Sequence, residues 1–135
     1  MNPEELRGDV VRYWWSKAEE SLASAQREAD AGALAFAMNR IYYSAFYAVS
    51  AALLDQQTSF RKHSGVRAAF HKEFIKKGIL DSNWGKFYDQ LFEDRQEGDY
   101  LALTEFDPEY VRSQLARCRD FLTHLRPHIV SLQKK

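Results

Sequence analysis

Apolar positions along this chain recur at three- and four-residue steps, the spacing of one face of an α-helix, and no stretch alternates as a half-buried strand would. Val10, Val11, Trp14, Ala18, Leu22 and Ala25 form the first such stripe, which runs to about Asp30. Pro3 with Glu4 and Glu5 behind it marks a helix start: proline needs no N–H in a first turn, and the acids oppose the positive end of the helix dipole. Gly8 weakens those turns, so the ordered helix is expected to begin near Asp9. Ala31-Gly32 is a stop of the left-handed type, and the next helix follows almost at once. So short a connection makes the two helices antiparallel neighbours.

From Ala33 to Leu54 the pattern changes. The stretch ALAFAMNRIYYSAFYAVSAALL is apolar or small on almost every face, as in a helix buried on most sides. Its length would allow a membrane span, but Asn39-Arg40 and three tyrosine hydroxyls would be costly in hydrocarbon, and no other segment is apolar enough to pair with it. It reads as the central helix of a soluble bundle, with Ala45, Ala48, Ser50, Ala51 and Ala52 allowing close approach of its neighbours. The polar run DQQTSFRKHSG that follows is the longest candidate loop. Ser64 is the expected cap of a helix over about Gly65 to Lys77, with Val66, Ala69, Phe70 and Phe74 inward and Lys76-Lys77-Gly78 as its close. Asp81 or Ser82 caps a fourth helix with Trp84, Phe87, Tyr88, Leu91 and Phe92 as its stripe; its end near Glu97 to Tyr100 is left open by the pattern. Asp107-Pro108-Glu109 opens a last helix through Val111, Leu115, Cys118, Phe121, Leu122 and Leu125. Pro127 should kink or end it, and SLQKK should fray. The expected fold is all-α: an antiparallel four-helix-type up-and-down bundle with an additional short helix. It forms one domain over residues 1–135, with its core at about 9–130.

Composition narrows the function classes. A chain of 135 residues with 45% hydrophobic and 14% aromatic residues can bury a real core. Nineteen basic and nineteen acidic residues cancel, so any nucleic-acid binding must come from a local patch. Cys118 is the one cysteine, which excludes a disulfide framework and a cysteine-based zinc site. The start MNPEELRGDVVRYWW lacks a signal-type apolar core, and a cytoplasmic location is expected. No membrane partner is expected. No glycine-rich phosphate motif or serine-nucleophile motif is present. His124 and His128 have ligand-like i,i+4 spacing, but Pro127 disturbs the helix between them and no third ligand is near, so no metal and no cofactor is expected.

Three groups carry candidate chemistry. Arg61-Lys62-His63, followed by Arg67, His71 and Lys72, makes a locally positive edge beside Phe60; it could track a phosphate backbone or be an ordinary solvated helix start. Arg95 and Asp99 are spaced as an exposed i,i+4 ion pair. Asn39 and Tyr43 share one face of the central helix with Arg40 and Tyr42 beside them, and if that face meets Arg95 the result is a buried polar cluster. In addition, of the adjacent Trp14 and Trp15 one must face away from the core, which leaves room for a partner surface near Tyr13.

The run Asn39-Arg40-Ile41-Tyr42-Tyr43-Ser44-Ala45-Phe46-Tyr47 resembles a signature of the HEPN family, small all-α domains of prokaryotic toxin–antitoxin and nucleotidyltransferase-partner systems. Lys62-His63 with Gly65-Val66, and Arg95 with Asp99-Tyr100, extend the resemblance over roughly residues 10 to 130. In HEPN ribonucleases an arginine and a histidine a few residues apart face a partner subunit and form the active site at the dimer interface. Here Arg95 matches the arginine, but Tyr100, Leu101 and Ala102 stand where the histidine belongs. Metal-free RNA cleavage needs the 2′-hydroxyl deprotonated, the leaving oxygen protonated and the added phosphate charge stabilised. Arg95 suits the last task, whereas a tyrosine with an ordinary pKa near ~10 is a poor base at neutral pH. The resemblance therefore implies Arg95, Asp99 and Tyr100 as catalytic candidates, with Asn39, Arg40, Tyr43, Lys62 and His63 binding RNA or a nucleotide. It also implies a homodimer and a nucleotidyltransferase-type antitoxin as partner. Two functions stay open: a metal-independent endoribonuclease toxin, and a non-catalytic nucleotide-binding or scaffold subunit beside a separate nucleotidyltransferase.

Overall fold

The computed structural model describes residues 2–100 and 105–133, and for residues 97–100 the backbone alone. Five α-helices make the fold, with no strand among the described residues. Helix α1 (Pro3–Asp30) begins at its proline rather than near Asp9, because the Asn2 side chain accepts from the Glu5 N–H and caps the first turn ahead of Gly8. It ends at Gly32, whose φ of +76° continues the chain where a side chain would be strained. Helix α2 (Leu34–Asp55) then returns antiparallel and packs against α1 and every later helix.

Small residues explain how closely α1 and α2 meet. Ala18, Ala25, Ala37, Ala45, Ala48 and Ala51 are completely buried. Between them Ser44 Oγ donates to the Ala18 carbonyl (2.8 Å) and Ser21 Oγ to that of Arg40 (2.7 Å). A hydroxyl stranded in such a seam would cost about 1–3 kcal/mol, so each must find a carbonyl on the facing helix. Trp15 is buried and Trp14 turns outward onto Tyr47, ring centroids 5.4 Å apart.

The third helix starts earlier than its cap residues suggest. Helix α3 (His63–Phe70) includes His63 and Ser64, with Lys62 in the cap position and no side-chain cap bond. It runs on as a π-helical turn (His71–Ile75) and closes at Gly78, φ +74°. Helix α4 (Ser82–Tyr100) is entered through Asp81, whose carboxylate accepts from the Asn83 N–H, and its backbone continues through the Glu97–Tyr100 stretch. Helix α5 (Pro108–Leu125) is capped by Asp107. The segment after it does not fray at once: Ile129 is buried, and Asp55 at the end of α2 accepts from the Val130 and Ser131 N–H groups and the Ser131 hydroxyl (2.9, 3.1 and 2.6 Å). Among the described residues no helix is long and apolar enough to cross a membrane.

Candidate functional site

On the side of α2 facing α3 and α4, the consecutive tyrosines divide their roles. A helix turns about 100° per residue, so Tyr42 points into the core while Tyr43 stands at its rim. Tyr42 is completely buried among Phe46, Tyr88 and Phe92, and Tyr43 is half-buried. Two groups distant in sequence converge on this pair. From α3, His63 Nδ1 lies 2.7 Å from the Tyr42 hydroxyl, and its ring stacks on Phe46 with centroids 4.3 Å apart. From α4, the Arg95 guanidinium lies 5.2 Å from the Tyr42 ring centroid and 5.3 Å from that of Tyr43. Arg95 is brought there by Phe92, one turn earlier on α4, which packs edge-on against Tyr42.

The electrostatics follow from this packing. Burial pushes the Tyr42 hydroxyl up to about 12, with the Arg95 charge acting in the opposite direction. Tyr42 is therefore a protonated phenol at neutral pH. His63 is held below its ordinary 6.5, first by burial and then by the Arg95 cation. Tyr88 beneath them is also pushed well up, again mainly by burial. Its hydroxyl interacts with that of Tyr42 but makes no hydrogen bond in good geometry among the described residues.

Three surface cavities flank the cluster. One, about 230 Å³, lies between α1 and α2, where Lys17, Arg27 and Arg40 surround the Tyr43 and Tyr47 edges with Glu20 as the acidic member. A second, about 340 Å³, sets Asn39 and Arg40 beside Arg95 with Phe36 and Phe106 as walls. The third, about 380 Å³, has Trp14, Phe46 and Phe60 as aromatic walls with Arg61 and His63 at its polar edge. The local excess of cations over acids in the first cavity is the kind of patch that zero net charge leaves room for.

Arg95, Tyr43 and His63 come together; Asn39 and Arg40 lie next to Arg95 in the second cavity; Lys62 stays exposed in the cap of α3 and is not part of the cluster. The side chains of Asp99 and Tyr100 lie outside the described residues. The buried polar group expected around Asn39 and Tyr43 is centred on Tyr42 instead, one residue round the helix. The positive edge is also smaller than its sequence suggests, since Arg67 Nε and His71 Nε2 both reach Asp89 Oδ1, at 3.0 and 2.9 Å. Asp94, adjacent to Arg95, lines the second cavity as well and accepts from the Tyr110 hydroxyl and from Gln90 Nε2. His124 has its Nδ1 on the Asp120 carbonyl at 2.7 Å, and among the described residues no three histidine, cysteine or carboxylate side chains converge. Cys118 is buried beside the Ile41 carbonyl with its thiol pushed up to about 12, so it is not a nucleophile. Tyr42 is expected only as a neighbour of the Asn39–Tyr43 face, and Tyr88 is not expected in the site. The tyrosine pair itself was the available signal for Tyr42; for Tyr88, only its place in the fourth apolar stripe.

The chain is similar to known proteins. The family model of the HEPN domain matches residues 11–127. A Thermotoga maritima protein named "UPF0332 protein" is 42% identical over 93% of this chain and 95% of its own length. Two Methanocaldococcus jannaschii proteins are also similar. "Putative toxin MJ0142" is 36% identical over 85% of this chain and 78% of its own, and "Putative toxin MJ0605" is 29% identical over 63% of each.

Proposed function

The chain belongs to the HEPN domain family, and from that premise we propose that it is a toxin-type component that binds RNA or a nucleotide through phosphate at the Arg95–His63 cluster, in the cleft of a homodimer. The observation that carries this reading is the convergence of Arg95 from α4 and His63 from α3 on the Tyr42–Tyr43 pair. A guanidinium at the rim of a half-buried aromatic cluster offers planar two-point contact to phosphate oxygens, and a low local dielectric strengthens it. The tyrosine and phenylalanine edges beside it offer stacking surface to unpaired bases. Asn39 and Arg40 extend the site along α2, and the cations between α1 and α2 would carry the next phosphates. An isologous dimer would bring two such clusters to one cleft.

Metal-independent cleavage is the second reading, favoured by one observation. His63, far from Arg95 in sequence, stands close enough to feel its charge, so a histidine accompanies the arginine although none follows it at motif spacing. Arg95 would stabilise the charge added to phosphate as the 2′-oxygen attacks, while Asp99 and Tyr100, further along α4, stay candidates for proton transfer. The expected partner is a nucleotidyltransferase-type antitoxin, as in the systems this family serves; the alternative, a non-catalytic subunit beside that enzyme, shares the binding site and lacks the cleavage. The test is a short labelled single-stranded RNA incubated with the protein in chelator at increasing salt. Salt-sensitive binding lost in Arg95→Ala supports the site, and RNA cleavage lost in the same variant selects the nuclease. Equal binding by wild type and Arg95→Ala removes the site.

A further inference from the structure

The nitrogen of His63 that carries the proton decides what this site offers a ligand. Nδ1 lies 2.7 Å from the Tyr42 hydroxyl oxygen, so one of the two groups donates to the other. If Tyr42 donates, Nδ1 is the acceptor and the neutral ring keeps its proton on Nε2. If His63 donates from Nδ1, the Tyr42 hydrogen must find another acceptor, and Tyr88 is the group that decides. The Tyr88 hydroxyl is completely buried, packs beneath Tyr42 and against Phe70, makes no hydrogen bond in good geometry among the described residues, and interacts with the Tyr42 hydroxyl. In the first arrangement the Tyr42 oxygen keeps its lone pairs open towards the Tyr88 hydrogen. In the second, Tyr42 turns its own hydrogen towards Tyr88 and strands the Tyr88 hydrogen in apolar surroundings, which is the costlier state.

We propose that Tyr42 donates to His63 Nδ1 and holds the histidine proton on Nε2, so that the site meets a phosphate with a neutral imidazole N–H beside the Arg95 cation. The ligand half of this proposal rests on the RNA or nucleotide reading above; the proton placement does not. The groups around His63 agree with a neutral ring. Facing it are Tyr42 and Tyr43 from α2 and Arg95 from α4; Arg61 of the preceding loop and Trp14 of α1 line the same cavity, and Arg67 follows one turn on in α3. Among the described residues these are cations and uncharged side chains, which oppose an imidazolium. Nε2 is the ring nitrogen away from Tyr42, and His63 lines the edge of the aromatic cavity beside Arg61. Tyr42 is thus a positioning residue: it touches no ligand and sets the hydrogen-bonding sense of the residue that does.

The test is histidine-detected nitrogen NMR on the full chain, with RNA binding measured in parallel. Wild type should show His63 protonated on Nε2 and bare on Nδ1 from about pH 8 down to its ordinary pKa of about 6.5, with affinity for a short single-stranded RNA nearly flat over that range. In Tyr42→Phe the ring packing is kept and the donor is lost. His63 should then populate both neutral tautomers and titrate closer to its ordinary value, and RNA affinity should tighten several-fold as pH falls. A wild-type His63 protonated on Nδ1, or charged at neutral pH, overturns the proposal. The wild-type spectrum decides this even where Tyr42→Phe fails to fold. An Nε2 proton together with no RNA binding at low salt overturns the ligand half and the functional reading, and leaves the proton placement standing.

Discussion

The two sides of α2 use polar groups in opposite ways. Facing α1, the hydroxyls of Ser44 and Ser21 bond to backbone carbonyls across a seam of buried alanines, and no donor is left over. Facing α3 and α4, Tyr42 bonds to the side chain of His63, while Tyr43, His63 and Arg95 each keep part of their surface in solvent. A hydroxyl-to-carbonyl bond fixes the distance between two helices and offers nothing to a ligand. A side-chain cluster at a rim keeps donors for one. One helix thus builds the frame with one face and the site with the other.

That contrast is broken most sharply by a pair of substitutions with crossed effects. Arg95→Ala should weaken RNA binding by about tenfold or more, the scale of a charged hydrogen bond of ~1.5–3 kcal/mol. Its cost to folding should be smaller, about 1–2 kcal/mol on the scale of a cation–π contact partly shielded from water, read from denaturant melts. Ala48→Leu, one turn beyond Ser44 on the seam face, should do the reverse. It forces a side chain between helices that alanines let touch, lowering stability by about 1–3 kcal/mol, while the fraction that stays folded binds RNA as wild type does. Loss of binding in both variants at full folding would erase the division between the two faces.

Much of this frame was legible in the sequence, because helical periodicity and caps are local signals. The all-round apolarity of the Ala33–Leu54 stretch correctly marked a helix enclosed by all the others, and the alanines within it marked the close approach to α1. The misreadings have non-local causes. Ser64 and Gly65 look like a helix start, which leaves His63 in the preceding loop; what draws His63 into α3 is its bond to Tyr42 on another helix. Fraying was expected after Pro127, yet Asp55, more than half the chain away, binds the backbone of Val130 and Ser131. The tyrosine pair was recognised as part of a site, but spacing alone does not say which tyrosine faces inward. Composition also hid the cation-rich cavity between α1 and α2, since the acids that cancel it lie elsewhere.

Two smaller effects sharpen the comparison. Ser44→Ala removes one cross-seam bond and should lower stability by about 1 kcal/mol without changing RNA affinity, measured by melts and titration of the same sample. His63→Gln should alter the pH dependence of folding. The folded pKa of His63 lies below its unfolded value, so at intermediate pH the unfolded chain binds more protons. His63 therefore removes stability as pH falls from above its ordinary 6.5 towards the lower folded value, after which its effect levels off. In His63→Gln that share of the slope should vanish, and identical pH–stability curves for the two proteins would mean that His63 is as solvated folded as unfolded.

The central claim is that Arg95 and His63, from two helices, act on one ligand. A double-mutant cycle on RNA affinity with Arg95→Ala, His63→Ala and the double variant tests it most directly. Two groups gripping the same phosphate should be coupled by about 0.5–3 kcal/mol, so the double variant loses less than the sum of the single losses. Losses that add fully would contradict the claim and make the two residues neighbours without a shared ligand.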